Sequence, residues 1–174
     1  MKTARYRSLE LLVLFILLPL SLAIPYSFYA KAGMVLLGLV YVIYVLIKVE
    51  GISFKIKERL NWRLFARRTA FIFATIAIIT TAYVWAVDKS ALFYVPLNNP
   101  KLFVFILFIY SLISVWPQEI IYRTFFFNRY GDLFKSEALL IFVNAVLFSL
   151  AHIFLRNTLV LVLTFLGGIL FGIT

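Results

Sequence analysis

Residues 102–127 read LFVFILFIYSLISVWPQEIIYRTFFF, an apolar run interrupted by Pro117, Glu119 and Arg123. A stretch of this length and composition suffices to cross the hydrocarbon core of a bilayer. In lipid every backbone N–H and C=O must be satisfied inside the segment, so the run reads as a helix. Ionisable side chains at that depth cost several kcal/mol and rarely persist without a partner or a task. The deciding stretch therefore gives a membrane helix and also marks a place where chemistry is to be sought.

The rest of the chain repeats the pattern. It has 174 residues, is 64% hydrophobic, and carries no cysteine. Its apolar residues come in long blocks, more than a soluble domain of that size could bury. Six spans can be drawn: Leu9 to Tyr29, Ala32 to Val49, Thr69 to Val87, Leu102 to Phe127, Ala138 to Leu155 and Thr158 to Thr174. The expected fold class is all-α, a polytopic transmembrane helix bundle of about six spans with its N-terminus cytoplasmic. Residues 1–101 form a first part with three spans and no diagnostic motif, and residues 102–174 form the part that carries the candidate chemistry.

The orientation follows from charge. Thirteen Lys and Arg fall in segments on the N-terminal side of the membrane and only four, Lys31, Lys89, Lys101 and Arg156, on the other. That asymmetry places the N-terminus inside. It also accounts for the net charge of +10 without nucleic acid, which would need a basic face on a water-exposed fold. Residues 54–68 mix Phe54, Ile56, Leu60, Trp62, Leu64 and Phe65 with six basic residues, as an amphipathic helix on an anionic leaflet does. The first span resembles a signal peptide up to Ser21-Leu22-Ala23, but its apolar character continues, which favours an uncleaved helix. The last span ends at Gly172-Ile173-Thr174 without basic or aromatic residues at its exit, so a missing C-terminal portion is expected.

Glu119 and Arg123 stand at i and i+4, acid first, the favourable order for a helical ion pair. Pro117 removes a backbone bond just before them and predicts a kink that admits water. The chain's single histidine, His152, shares a stripe with Asn144 and Phe148 at four-residue spacing. The spans place Glu119 ~12 Å and His152 ~21 Å from their cytosolic ends, at 1.5 Å per residue. A carboxylate and an imidazole facing a wet pocket can take a proton from water and deliver it to a leaving amine. A buried ion pair and a helix-bridging histidine are the purely structural readings of the same residues. One histidine and no cysteine argue against catalytic zinc; Ser149 lacks an acid and an oxyanion elbow; no Gly-rich phosphate loop is present. No metal or cofactor is expected. Gly167, Gly168 and Gly172 form a small-residue face suited to close helix packing.

At these residues the sequence resembles the CPBP family, the CAAX-processing endopeptidases and bacteriocin-processing enzymes also called Abi. Gln118-Glu119-Ile120-Ile121-Tyr122-Arg123 is similar to the family motif Glu-Glu-x-x-x-Arg, and Phe148 to His152 matches Phe-x-x-x-His. The helix bearing Gly167, Gly168 and Gly172 looks like the one that follows in the family. The resemblance covers about Leu102 to Thr174 and implies a bacterial intramembrane glutamic protease. In such enzymes a motif glutamate and the second-motif histidine activate water, and a later histidine and asparagine stabilise the oxyanion. Two departures stand out. Gln118 replaces the first glutamate, and the final histidine motif is absent from this sequence.

The resulting expectation is an endopeptidase of the cell (inner) membrane, with Glu119 as general base and His152 polarising water. Arg123 would hold Glu119 ionised and Gln118 would position water or substrate. Its partners would be the lipid bilayer and a membrane-embedded peptide or protein substrate. The alternative is a non-catalytic relative acting in bacteriocin immunity or peptide binding. A small transporter would need ionisable residues spread over more spans than this sequence provides.

Overall fold

The computed structural model describes residues 3–52 and 61–173, and its regular structure is helical. Ala4–Leu12, a π-wound turn Val13–Leu17 and a further turn Leu18–Leu22 run on as one helix, α1. Then follow α2 (Phe28–Lys48), α3 (Trp62–Val87), α4 (Pro100–Leu133), α5 (Glu137–Leu150) and α6 (Thr158–Gly172). The all-α reading is met.

Short polar side chains start most of these helices by accepting otherwise orphaned backbone amides. Asn61 accepts from Leu64 at 3.1 Å, and Asn99 from Leu102 at 3.2 Å with Pro100 in the first turn. Ser136 accepts from Leu139 at 3.3 Å, and Asn157 from Leu159 at 2.9 Å.

Four helices among the described residues are long and apolar enough to cross a membrane: α2, α3, α4 and the stretch Glu137–Leu155 that continues α5. The other two expected spans, in α1 and α6, are not among them. Helix α6 has 15 residues, or about 22 Å at the α-helical rise. Helix α1 carries Arg5, Arg7 and Glu10 in its first turns. The surface of the four long helices is strongly apolar, with Leu37, Phe71, Phe73 and Ile113 each more than two-thirds exposed. Surface of this kind is normally covered, here by lipid.

Other boundaries also differ from expectation. The fourth span is longer than its apolar run, extending through Arg129 to Leu133. Of the expected amphipathic segment, residues 54–60 lie outside the described residues. Its remainder is continuous with the third span in α3, since nothing between Asn61 and Thr69 breaks a helix.

The chain divides into two compact units. One comprises Met1–Ser53 and Trp116–Thr174, the other Phe54–Val115. This grouping rests on packing, whereas the division at residue 101 concerns motif content. The second unit holds α3 and the first part of α4, linked by a turn at Lys89–Ala91 and the short helix Tyr94–Asn98.

The first unit contains the core. Phe15, from the π-wound turn of α1, is fully buried. It is ringed by Tyr122 at 5.3 Å, Phe126 at 5.2 Å, Tyr130 at 5.8 Å and Phe125 at 6.3 Å between centroids. Most of these contacts are edge-to-face, the favoured geometry for ring pairs. Val42, Val45 and Leu46 of α2 and Leu140 and Leu147 of α5 complete the cluster. Helix α6 packs closely on α5 through its glycines. A Cβ on Gly168 would lie 2.7 Å from the Ala145 Cα, and one on Gly172 would lie 2.7 Å from the Ile141 Cγ2.

A buried charged cluster sits at the end of this core. Arg129 donates from Nε to Glu10 Oε2 at 2.8 Å and from Nη1 to Glu50 Oε1 at 2.6 Å. Glu10 also accepts from Tyr130 at 3.2 Å and from Tyr41. Three parts of the chain, α1, the end of α2 and the end of α4, are thus tied at one guanidinium.

Candidate active site

All four candidate residues lie in the first unit. Around Pro117 the helix is rewound. A π-wound stretch at Ser111–Val115 precedes the α-helical Trp116–Glu119, and a second follows at Ile120–Phe125. The wider winding before Pro117 relieves the clash of its ring with the preceding turn. The Glu119–Arg123 pair therefore begins in an α-turn and ends inside a π-turn.

That winding stretches the pair. Arg123 Nε lies 4.0 Å from Glu119 Oε2, beyond hydrogen-bond distance. The Glu119 side chain is 53% exposed and that of Arg123 is 16% exposed, so the acid faces outward and the base inward. Arg123 is held chiefly by other groups. Its Nη1 donates to Asn144 Oδ1 at 2.8 Å, and its guanidinium carbon sits 6.0 Å from the Phe148 ring and 5.6 Å from the Phe171 ring. Cation–π contacts at these distances favour a fixed charge between α5 and α6. The Nε atom is buried without a hydrogen-bond partner.

His152 is at the end of its helix and not in the middle, because α5 stops at Leu150. The last carbonyls of a helix lack amide partners, and His152 uses one of them. Its Nδ1 is 2.8 Å from the Phe148 carbonyl oxygen. A carbonyl only accepts, so Nδ1 carries a proton, and in the neutral ring this leaves the lone pair on Nε2. This tautomer can take a proton from water. The imidazole also stacks edge-on with Phe148 at 5.0 Å.

Glu119 and His152 do not touch. Both reach Phe148, the histidine directly and the glutamate through Arg123. Their distances from the adjoining helix ends are closer to each other than the sequence spans indicated. With α4 running to Leu133, Glu119 is about 21 Å from that helix end, and His152 is about 22 Å from Glu137, at 1.5 Å per residue. The expected stripe is real: Asn144 meets Arg123, and Phe148 meets Arg123, Tyr122 and His152. Gln118, half-buried one residue before Glu119, belongs to the same α-turn.

Ser149 is committed elsewhere. Its Oγ donates to the Leu161 carbonyl at 2.8 Å, joining α5 to α6. Sequence reasoning missed Asn144 as a member of the site. Its signal was a polar amide on the same stripe as Phe148 and His152.

A helical membrane protein with an acid–base pair and a histidine on adjacent helices is the class defined by these features. Residues 100–174 match the family described as Type II CAAX prenyl endopeptidase Rce1-like. This agrees with the CPBP resemblance carried by Glu119, Arg123, Phe148 and His152, over the same part of the chain, and supports a membrane protease family for that segment. No curated protein and no solved structure matches the chain.

Proposed function

We propose that this protein is a multi-pass intramembrane endopeptidase, acting from the cell membrane on a membrane-associated peptide or protein. The observation that carries the reading is an outward-facing Glu119 and a His152 whose Nδ1 is held by the Phe148 carbonyl, both linked to Phe148 from adjacent helices. Glu119 serves as general base, taking a proton from water that His152 polarises, and that proton is relayed to His152 Nε2, which delivers it to the leaving amine. The atoms balance: water adds across the scissile amide, its hydroxyl going to carbon and its proton to nitrogen. Arg123 supplies a fixed positive charge beside Glu119, and Gln118 orients water or substrate through its amide. The family description makes a prenylated C-terminal CAAX tail the first substrate to try.

The test uses full-length protein in lipid vesicles with a fluorogenic farnesylated CAAX peptide. Glu119→Ala and His152→Ala should each abolish cleavage. Undiminished turnover in either variant removes the mechanism.

A second reading is favoured by one observation, the amide Gln118 where the family motif has its first carboxylate. Under it the protein binds a membrane peptide without cutting it, as in bacteriocin immunity. Retention of the intact peptide by wild-type vesicles, with no product, would select it.

A further inference from the structure

Asn144 has no assigned role, yet it is fully buried and has both ends of its amide engaged. Its Oδ1 accepts from Arg123 Nη1 at 2.8 Å, and its Nδ2 donates to the Tyr122 carbonyl at 2.8 Å. The orientation of the amide is forced, because a guanidinium only donates and a carbonyl only accepts.

The Tyr122 carbonyl matters because of the π-turn. In an α-helix it would accept the Phe126 N–H, but here that N–H bonds to the Ile121 carbonyl instead. The wide turn therefore moves the Phe126 donor off the Tyr122 carbonyl, and Asn144 brings that carbonyl a donor from the neighbouring helix. A carbonyl has two lone pairs, and leaving a buried one short of donors is costly, so the bond helps to hold the turn in the form seen here. The same side chain fixes Arg123, four residues beyond Glu119. Few other side chains could do both. Aspartate cannot donate to Tyr122, leucine can do neither, and a single serine hydroxyl lacks the two-atom span.

We propose that Asn144 is a positioning residue that locks the wide turn of α4 and with it the placement of Arg123 relative to Glu119. The proposal rests on the hydrolase reading for its effect on turnover, and on the geometry alone for its effect on the turn. It acts through Arg123 and the backbone, not by touching substrate.

Two readouts on the full chain in vesicles test it. The first is hydrogen–deuterium exchange over residues 120–125, with residues 28–48 as a control for overall folding. The second is kcat and KM on the farnesylated CAAX peptide. Asn144→Leu should accelerate exchange at 120–125 and lower kcat about 100-fold, the scale of a small misplacement of catalytic groups, with KM little changed. Asn144→Asp keeps an acceptor for Arg123 and should retain part of kcat, which also covers the case in which the leucine variant does not fold. Unchanged exchange at 120–125 in a folded variant overturns the proposal. Faster exchange with unchanged kcat overturns the positioning role. A wild type that cleaves nothing removes the hydrolase reading, while faster exchange in the variants would still support the lock on the turn.

Discussion

Arg129 and Glu10, separated by 119 positions in sequence, form a buried ion pair at 2.8 Å with side chains 1% and 3% exposed. Glu50 and the hydroxyls of Tyr41 and Tyr130 are further partners in the cluster. Removing one partner of such a pair leaves the other charge buried and uncompensated. The cost is about 3–5 kcal/mol. Arg129→Leu should therefore lower stability by roughly that amount, read as the midpoint of thermal unfolding in detergent. Replacing Glu10 and Glu50 by glutamine together with Arg129→Leu should recover much of the loss. If Arg129→Leu unfolds at the wild-type midpoint, the cluster does not hold the fold.

The contact between α5 and α6 depends on absent side chains. A methyl on Gly168 would sit 2.7 Å from the Ala145 Cα, which is backbone and cannot rotate away. Gly168→Ala should force the helices apart at a cost of about 1–3 kcal/mol, as overpacking does. Gly167→Ala, whose nearest neighbour would be 3.9 Å away on the Phe171 ring, should be tolerated. Equal midpoints for the two variants would refute the argument.

Gln118 and Glu119 offer a direct comparison of two adjacent positions. If Glu119 is the base, Glu119→Gln should reduce kcat/KM on the farnesylated peptide by at least about 100-fold, the usual scale for a general base. Gln118→Glu should leave kcat/KM within about threefold, given that adjacent helical positions point ~100° apart. A large gain in Gln118→Glu together with a silent Glu119→Gln would transfer the base to position 118.

The turn after α3 should be sensitive to acid. Asp88 Oδ1 accepts from the Ser90 hydroxyl at 2.6 Å and from the Ser90 amide at 3.0 Å. These bonds hold its carboxyl below the usual carboxylate range, the hydroxyl contributing most. A depressed folded value means that the contribution is present above the ordinary carboxylate range and is lost as pH falls through the folded value. The protection of the Ser90 and Ala91 amides, taken relative to their intrinsic exchange rates at each pH, should fall on acidification, and Asp88→Asn should remove that dependence. Identical pH profiles for variant and wild type would count against it.

The long helices were legible because lipid leaves the backbone a single solution and apolar length marks it. The Glu119–Arg123 pair and the Asn144–Phe148–His152 stripe were legible because i+4 spacing fixes a face. Arg129 was not. Its place among the inside positive charges gives no hint of a partner, although it follows Phe125-Phe126-Phe127 and ends in the core. Glu10, an acid directly ahead of an apolar run, was the matching signal. The π-turns had one visible cause, Pro117, and the second of them is bonded by Asn144 across a helix boundary, which spacing along one helix cannot reveal. The end of α5 at Leu150 had no Gly or Pro to announce it.

The reach of the Arg129 cluster bears on how the chain is made. Glu10 leaves the ribosome 119 residues before its counter-ion, an interval of roughly 6–24 s at ordinary elongation rates. During that time its carboxylate must wait at the water interface or be neutralised by a proton. The first two helices can enter the bilayer early, yet they cannot settle until the end of α4 has been synthesised. Biogenesis of this protein thus has a late closing step.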